Sequence, residues 1–199
     1  MHSSAFSVYS LGYCIRPFAN PFFNQFVSGM RFLNNKDSAT PQEISMCFDA
    51  YARHLDEKKG VFPQNAFEFA SSTWHYDPTN SKCPHDAWLR KLEIVEKGVP
   101  RHSDNRTLNI RIVLLGAYHD GFITLKYSNV HSYSLEKPKF RTSVRSEGPS
   151  HGDWLFDEIS LNDEALVCHE IEFANASPWI IVCEDIQYSW RQVREREPH

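Results

Sequence analysis

The sequence predicts an α+β fold, with two N-terminal helices packed on a strongly curved, sandwich-like antiparallel sheet of about seven strands. Three observations carry that expectation. A helix start with its own capping residues stands at position 40, before a run of apolar residues at helical spacing. From Ala87 onward the apolar period falls to two. The strand-like segments then follow one another through short polar links with no helix between them, which excludes parallel crossovers.

Thr40-Pro41-Gln42-Glu43 reads as a capping box with proline at the first helical position. The Thr hydroxyl can accept an amide of the first turn while the Glu carboxylate reaches back to the cap amide. Ile44, Phe48, Tyr51 and Leu55 follow on one face, and Gly60 closes the helix. A second helix is expected from Pro63, with Phe67 and Ala70 facing inward and an end near Ser72.

Strand candidates are 87–96, 107–115, 121–127, 130–135, 154–161, 165–173 and 179–188. Leu108, Ile110, Ile112 and Leu114 share one face of the second. Asp120-Gly121 is the dipeptide of a tight hairpin, whose turn needs positive φ at both central positions. Links such as Asn162-Asp163-Glu164 suggest a meander.

The domain plan is therefore a Phe-rich, poorly ordered extension over 1–39, one globular domain over 40–190 (helical to 73, β-rich from 87) and a charged tail over 191–199. The extension holds six Phe, while Pro and Asn break every period, so no structure is assigned to it and the fold is expected to survive its removal.

Composition narrows function. The chain has 199 residues, 41% hydrophobic and 23% charged, which suits one domain with a real core. A net charge of −4 argues against nucleic acid, whose phosphates call for a basic face. No apolar run reaches the ~18 residues of a membrane helix. The N-terminus lacks the basic cluster and unbroken apolar core of a signal peptide, so a cytoplasmic address is expected. The five cysteines, an odd number with no Cys-x-x-Cys pair, read as free thiols, although strand proximity leaves a Cys168–Cys183 bridge open.

The densest polar chemistry lies in Trp74-His-Tyr-Asp-Pro-Thr-Asn-Ser-Lys-Cys-Pro-His-Asp-Ala-Trp-Leu89. Seven of the ten histidines have an acid one or two positions later: His54, His75, His85, His102, His119, His151 and His169. Adjacent strand residues point to opposite faces, so His119-Asp120 and His169-Glu170 are not pairs in themselves. The candidate binding set is Trp74, His75, Asp77, His85, Asp86, His119, Asp120, His151, Asp153 and Trp154. No catalytic residue, metal or cofactor is assigned. An alternative metal set is His75, Cys83 and His85, because zinc accepts nitrogen and sulfur from one compact loop. No nucleophile elbow, phosphate loop or dinucleotide fingerprint is present. Trp74, Tyr76 and Trp88 are expected to plug the joint between helices and sheet, so that emptying the Trp88 site should destabilise the fold.

The segments Trp74-His-Tyr-Asp-Pro through Cys83-Pro-His-Asp-Ala-Trp-Leu89, Leu114-Leu-Gly-Ala-Tyr-His-Asp-Gly121 and His151-Gly-Asp-Trp154 resemble a group of uncharacterised bacterial proteins. More distantly, Pro84-His85-Asp86-Ala87 opening a strand meander is similar to small immunity proteins of polymorphic-toxin systems. That likeness implies a non-catalytic domain that binds and neutralises a protein partner. The competing class is a metal-assisted or thiol hydrolase centred on Cys83, His85 and Asp86.

Overall fold

A computed structural model describes residues 30–33, 40–98, 106–137, 150–175 and 177–193. Helix α1 spans Pro41–Lys58 and begins as its sequence dictates. The Glu43 amide donates to Thr40 Oγ1 at 3.3 Å, and the Thr40 amide donates to the Glu43 carboxylate at 2.6 Å. Tyr51 and Leu55 are its buried residues. Helix α2 spans Gln64–Ala70 and buries Ala66, Phe69 and Ala70, leaving the expected inner residue Phe67 half-buried. Its N-terminus has no local side-chain cap. Asp185 of the last strand supplies one, accepting the Ala66 amide at 3.0 Å and the Asn65 side-chain amide at 2.6 Å. A carboxylate there meets both free amides and the positive end of the helix.

Six strands form one antiparallel sheet: β1 (Trp88–Lys97), β2 (Thr107–Leu115), β3 (Gly121–Leu135), β4 (Trp154–Leu161), β5 (Val167–Phe173) and β6 (Ser177–Gln192). The order is β1-β2-β3-β6-β5-β4, so β6 enters between β3 and β5 and the arrangement is not a simple meander. Two expected strands, 121–127 and 130–135, are one. Asn129 takes the positive φ of 49° that its type favours, but the chain does not turn there. A bulge between Val130 and Ser132 absorbs the irregularity, and long β6 pairs with both halves. β6 also draws Arg191 and Gln192, expected in a charged tail, into the sheet; residues 194–199 lie outside the described residues.

The core runs along one face of the sheet, where Ile110, Ile112 and Leu114 stand opposite Tyr127, Leu125 and Ile123. On β6 the buried positions switch from odd (Trp179, Ile181, Cys183) to even (Ile186). The β2–β3 turn departs from the expected Asp-Gly hairpin: the positive φ, 57°, falls on His119. Gly121 is needed for another reason, because a Cβ there would meet the Trp190 ring at 2.5 Å. Cys168 stands opposite Val182 and Cys183 opposite Val167, so the two cysteines occupy neighbouring strands but alternate faces. The four described cysteines are all free.

The sheet curls as a single layer instead of doubling into a sandwich. Among the described residues its two edges meet only at their first residues, through the Asp86 amide on the Trp154 carbonyl (2.8 Å), the Trp154 amide on the Ala87 carbonyl (3.0 Å) and a bridge between Trp88 and Asp153. Beyond that corner, β4 is covered by tyrosines. Tyr51 Oη donates to the Ile159 carbonyl at 2.9 Å and accepts the Ile159 amide at 3.1 Å, while Tyr76 Oη donates to the Asp157 carbonyl at 3.1 Å. Helix and loop thus satisfy the outer backbone of that edge, which would otherwise invite another strand.

Part of the Phe-rich segment belongs to this assembly. The carboxylate of Glu158, 1% exposed, accepts the amides of Arg31 (3.0 Å), Phe32 (2.9 Å) and Leu33 (2.8 Å). Leu33 is buried, and the Phe32 ring packs on Tyr51 and His54. Residues 31–33 of the expected extension thus have contacts in the fold, while 1–29 and 34–39 lie outside the described residues. A chain beginning at Met30 should unfold in urea at a midpoint close to that of the full chain. One beginning at Asp37 leaves a buried carboxylate without its three donors and should lose on the order of 3 kcal/mol. Equal midpoints for both truncations would show that Glu158 does not depend on this segment.

Candidate functional site

The polar residues singled out by sequence divide into an interior group and a surface group, both at the corner where the 71–87 loop, the β2–β3 turn and the start of β4 meet. The interior group centres on Asp157. On β4, Asp157 and Ile159 share the core face, and on β5 so do His169 and Ile171. The 71–87 loop brings His75 against them. Asp157 Oδ2 lies 2.8 Å from His75 Nε2 and 2.9 Å from His169 Nε2, and Oδ1 accepts the Trp154 indole N–H at 3.0 Å.

Hydrogen-bond partners fix the protons. His75 Nδ1 sits 3.0 Å from the Phe69 carbonyl, which can only accept, and Nε2 faces a carboxylate, which can only accept. Both ring nitrogens therefore face acceptors, and His75 is one of two imidazoles paired with the Asp157 carboxylate. His169 stays neutral: Nε2–H donates to Asp157, and Nδ1 accepts from Tyr127 Oη at 2.9 Å. Burial pushes the His169 pKa down, against the opposing pull of Asp157. Burial alone would raise the Asp157 carboxyl; the His75 charge and the two imidazole hydrogen bonds outweigh it and hold the group well below the usual carboxylate range. Burial likewise drives the Tyr127 phenol well above its ordinary value, so it remains a donor.

None of these groups can meet a substrate. His75 is 1%, Asp157 2%, and His169 0% exposed. The cavity that His75 and Asp157 line with Phe48, Tyr76, His85 and Phe156 measures about 40 Å³, room for a few water molecules at most. Aromatic rings close the remaining sides: His75 stacks between Phe69 at 4.2 Å and Tyr76 at 4.1 Å. The network therefore fixes how loop, β4 and β5 fit together.

The same loop disposes of Cys83. Its thiol is buried, donates to the His75 carbonyl at 2.9 Å and is bonded by the His85 main chain; burial pushes its pKa up to about 12. A thiol held protonated in this way is neither a nucleophile nor a ready metal ligand. His85 and Asp86 lie toward the surface, 3.3 Å apart but misaligned for a hydrogen bond, and His85 Nδ1 has no partner among the described residues. Asp86 adopts φ 61° to turn the chain into β1. Among the described residues no group of three or more His, Cys, Asp and Glu side chains is placed to hold a metal. The alternative set His75, Cys83 and His85 is not brought together as ligands: both His75 ring nitrogens and the Cys83 thiol are committed within the fold.

The surface group surrounds Trp88. This residue, expected as a plug, is 48% exposed, whereas Trp154 and Trp179 are 0% and 1%. Position 88 points away from the core because it stands opposite Leu115, on the face of the sheet opposite that of buried Leu114. The ring is nonetheless held: His119 packs edge-on at 4.7 Å, and Asp153, whose backbone bridges to Trp88, brings its carboxyl close to the indole. Asp153 is raised by partial burial and by the neighbouring charge of Asp86. Tyr118, also exposed, is tethered through Oη to the Pro78 carbonyl at 2.9 Å.

The other expected residues have local duties. Trp74 packs on Phe69 and Tyr188. Asp77 caps its own turn by accepting the Thr79 amide at 2.9 Å and hydroxyl at 2.6 Å. Asp120 receives the Val193 amide on its carbonyl. His151 packs between Phe173 and Trp179, its pKa lowered by burial and by Lys137. Asp157, His169 and Tyr127 were not among the expected site residues. An ionisable residue alternating with isoleucine on a core face, as in Asp157-x-Ile159 and His169-x-Ile171, was the signal that could have found two of them.

What fold and geometry define is an α+β domain on a curled six-stranded antiparallel sheet, with a buried His–Asp–His network beneath an exposed, clamped tryptophan. No protein-family model, curated protein or solved structure matches the chain.

Proposed function

We propose that this protein is a non-catalytic protein-binding domain of the immunity-like kind, and that Trp88 anchors its partner. The observation that carries this is the half-exposed Trp88 ring, clamped by His119 and Asp153 while Trp154 and Trp179 are buried. Tryptophan is among the residues most enriched in binding hot spots, and a ring already held in place loses little freedom on docking. Tyr118, His119, Asp86 and Asp153 supply an amphipathic and acidic surround. Against a thiol or metal-assisted hydrolase at Cys83, His85 and Asp86 stand the protonated, bonded thiol and the diverging roles of the three side chains.

The test is affinity purification of wild type and Trp88→Ala after expression in the source cell, with quantitative mass spectrometry. A protein retained by wild type at defined stoichiometry and lost with Trp88→Ala is the expected result. For a purified partner, the substitution should cost 2 kcal/mol or more, roughly thirtyfold in Kd. Equal retention by both proteins would remove Trp88 from the interface.

A further inference from the structure

The two edges of the sheet are treated differently. β4 has its outer backbone groups taken by Tyr51, Tyr76 and residues 86–87. Among the described residues β1, ten residues long, pairs only with β2 once past the corner at Trp88. Ile94 and Val95 on it are 41% and 46% exposed. We propose that β1 is a self-association edge, on which a second copy of this chain adds its own β1 antiparallel about a two-fold axis at Val95.

Charge chooses the occupant and the register. β1 reads Trp88-Leu-Arg-Lys-Leu-Glu-Ile-Val-Glu-Lys97, and a bulge between Leu89 and Lys91 leaves the stretch from Lys91 onward regular. Two identical strands related by a two-fold axis place residues opposite one another symmetrically about the centre, and like charges directly opposite are destabilising. A centre at Glu93 opposes that residue to itself, and a centre at Ile94 opposes Lys91 to Lys97. A centre at Val95 sets Glu93 against Lys97 twice, Ile94 against Glu96 twice and Val95 against Val95. It hides both exposed apolar residues and creates two opposite-charge pairs with no like pair. Lys97 also has no carboxylate partner among the described residues, whereas Glu93 lies 2.8 Å from Lys91 and 2.9 Å from Arg111 in the single chain.

A contact of one short strand pair falls below the ~1,200–2,000 Å² of a stable interface, so the dimer is weak, with a Kd on the order of 100 µM. Sedimentation equilibrium of the full chain, from about 5 µM to about 1 mM, reads this directly. Wild type should pass from monomer toward dimer. Val95→Asp, which opposes two carboxylates on the axis, and Lys97→Glu, which opposes Glu93, should each weaken association at least tenfold. Both positions are exposed, and unchanged thermal melts confirm folding. Lys82→Glu, the same charge change away from β1, should leave association unaltered. A chain monomeric throughout the range, or a dimer indifferent to both β1 substitutions, would overturn the proposal. Loss of partner capture in Trp88→Ala bears on the partner-docking reading alone, because that residue lies outside the paired stretch.

Discussion

Asp157→Ala is expected to destabilise the protein by roughly 3–5 kcal/mol, as for other buried ion pairs broken from one side. The substitution leaves three buried polar nitrogens, His75 Nε2, His169 Nε2 and Trp154 Nε1, without their acceptor. Asp157→Asn keeps the shape but offers one acceptor oxygen in place of two, so it should be only partly tolerated. Urea unfolding followed by tryptophan fluorescence reads both. The same network dictates the pH dependence. Burial lowers the pKa of His169 in the folded state, so its contribution is full above the unfolded value of about 6.5 and falls as pH drops below it. Asp157 is also held low, so its contribution is full above about pH 4 and is lost on further acidification. Both act in one direction. Wild-type stability should fall below about pH 4, and Asp157→Ala should lack that decline. A mutant with the same acid profile as wild type would mean that Asp157 is not ionised in the fold.

Trp154→Ala and Trp88→Ala should differ sharply. Trp154 is fully buried, packs on Phe173 and His169 and donates to Asp157, so its loss should cost roughly 3–5 kcal/mol. Trp88 keeps about half its surface in water, and its removal should cost about 1 kcal/mol or less, within the ordinary range of surface changes. The joint between helices and sheet is thus filled by Trp154, Trp74 and Tyr76, and the role expected of Trp88 passes to the tryptophan at the head of β4. Equal and large losses for the two variants would place the Trp88 ring in the core.

Local signals were legible and long-range ones were not. The capping box at Thr40 acts through residues three apart, and it formed as read. The alternation of β2 exposes its core face directly in the sequence. Ser128-Asn129, in contrast, has turn chemistry, and only the length of β6 opposite decides that the strand continues. His75 was singled out for the acid two positions away, yet its carboxylate partner is 82 residues distant. For His169 the neighbouring Glu170 drew attention, while the acid that matters is 12 residues earlier on the adjacent strand. The capture of residues 31–33 by Glu158 leaves no pattern at all, because backbone amides carry no sequence. Trp74–Leu89 is the densest polar stretch, but density does not distinguish His75, buried and bonded to Asp157, from His85, which is partly exposed beside Asp86.

The central claim, that the exposed Trp88 corner docks a protein while the histidines beneath it hold the fold, can be tested by photocrosslinking in the source cell. A photoreactive phenylalanine analogue would replace Trp88 in one chain and Val61, exposed near the start of α2, in another. The account predicts one discrete heavier adduct from position 88, containing a protein other than this chain, and none from position 61. No adduct from position 88, or the same set from both positions, would contradict it.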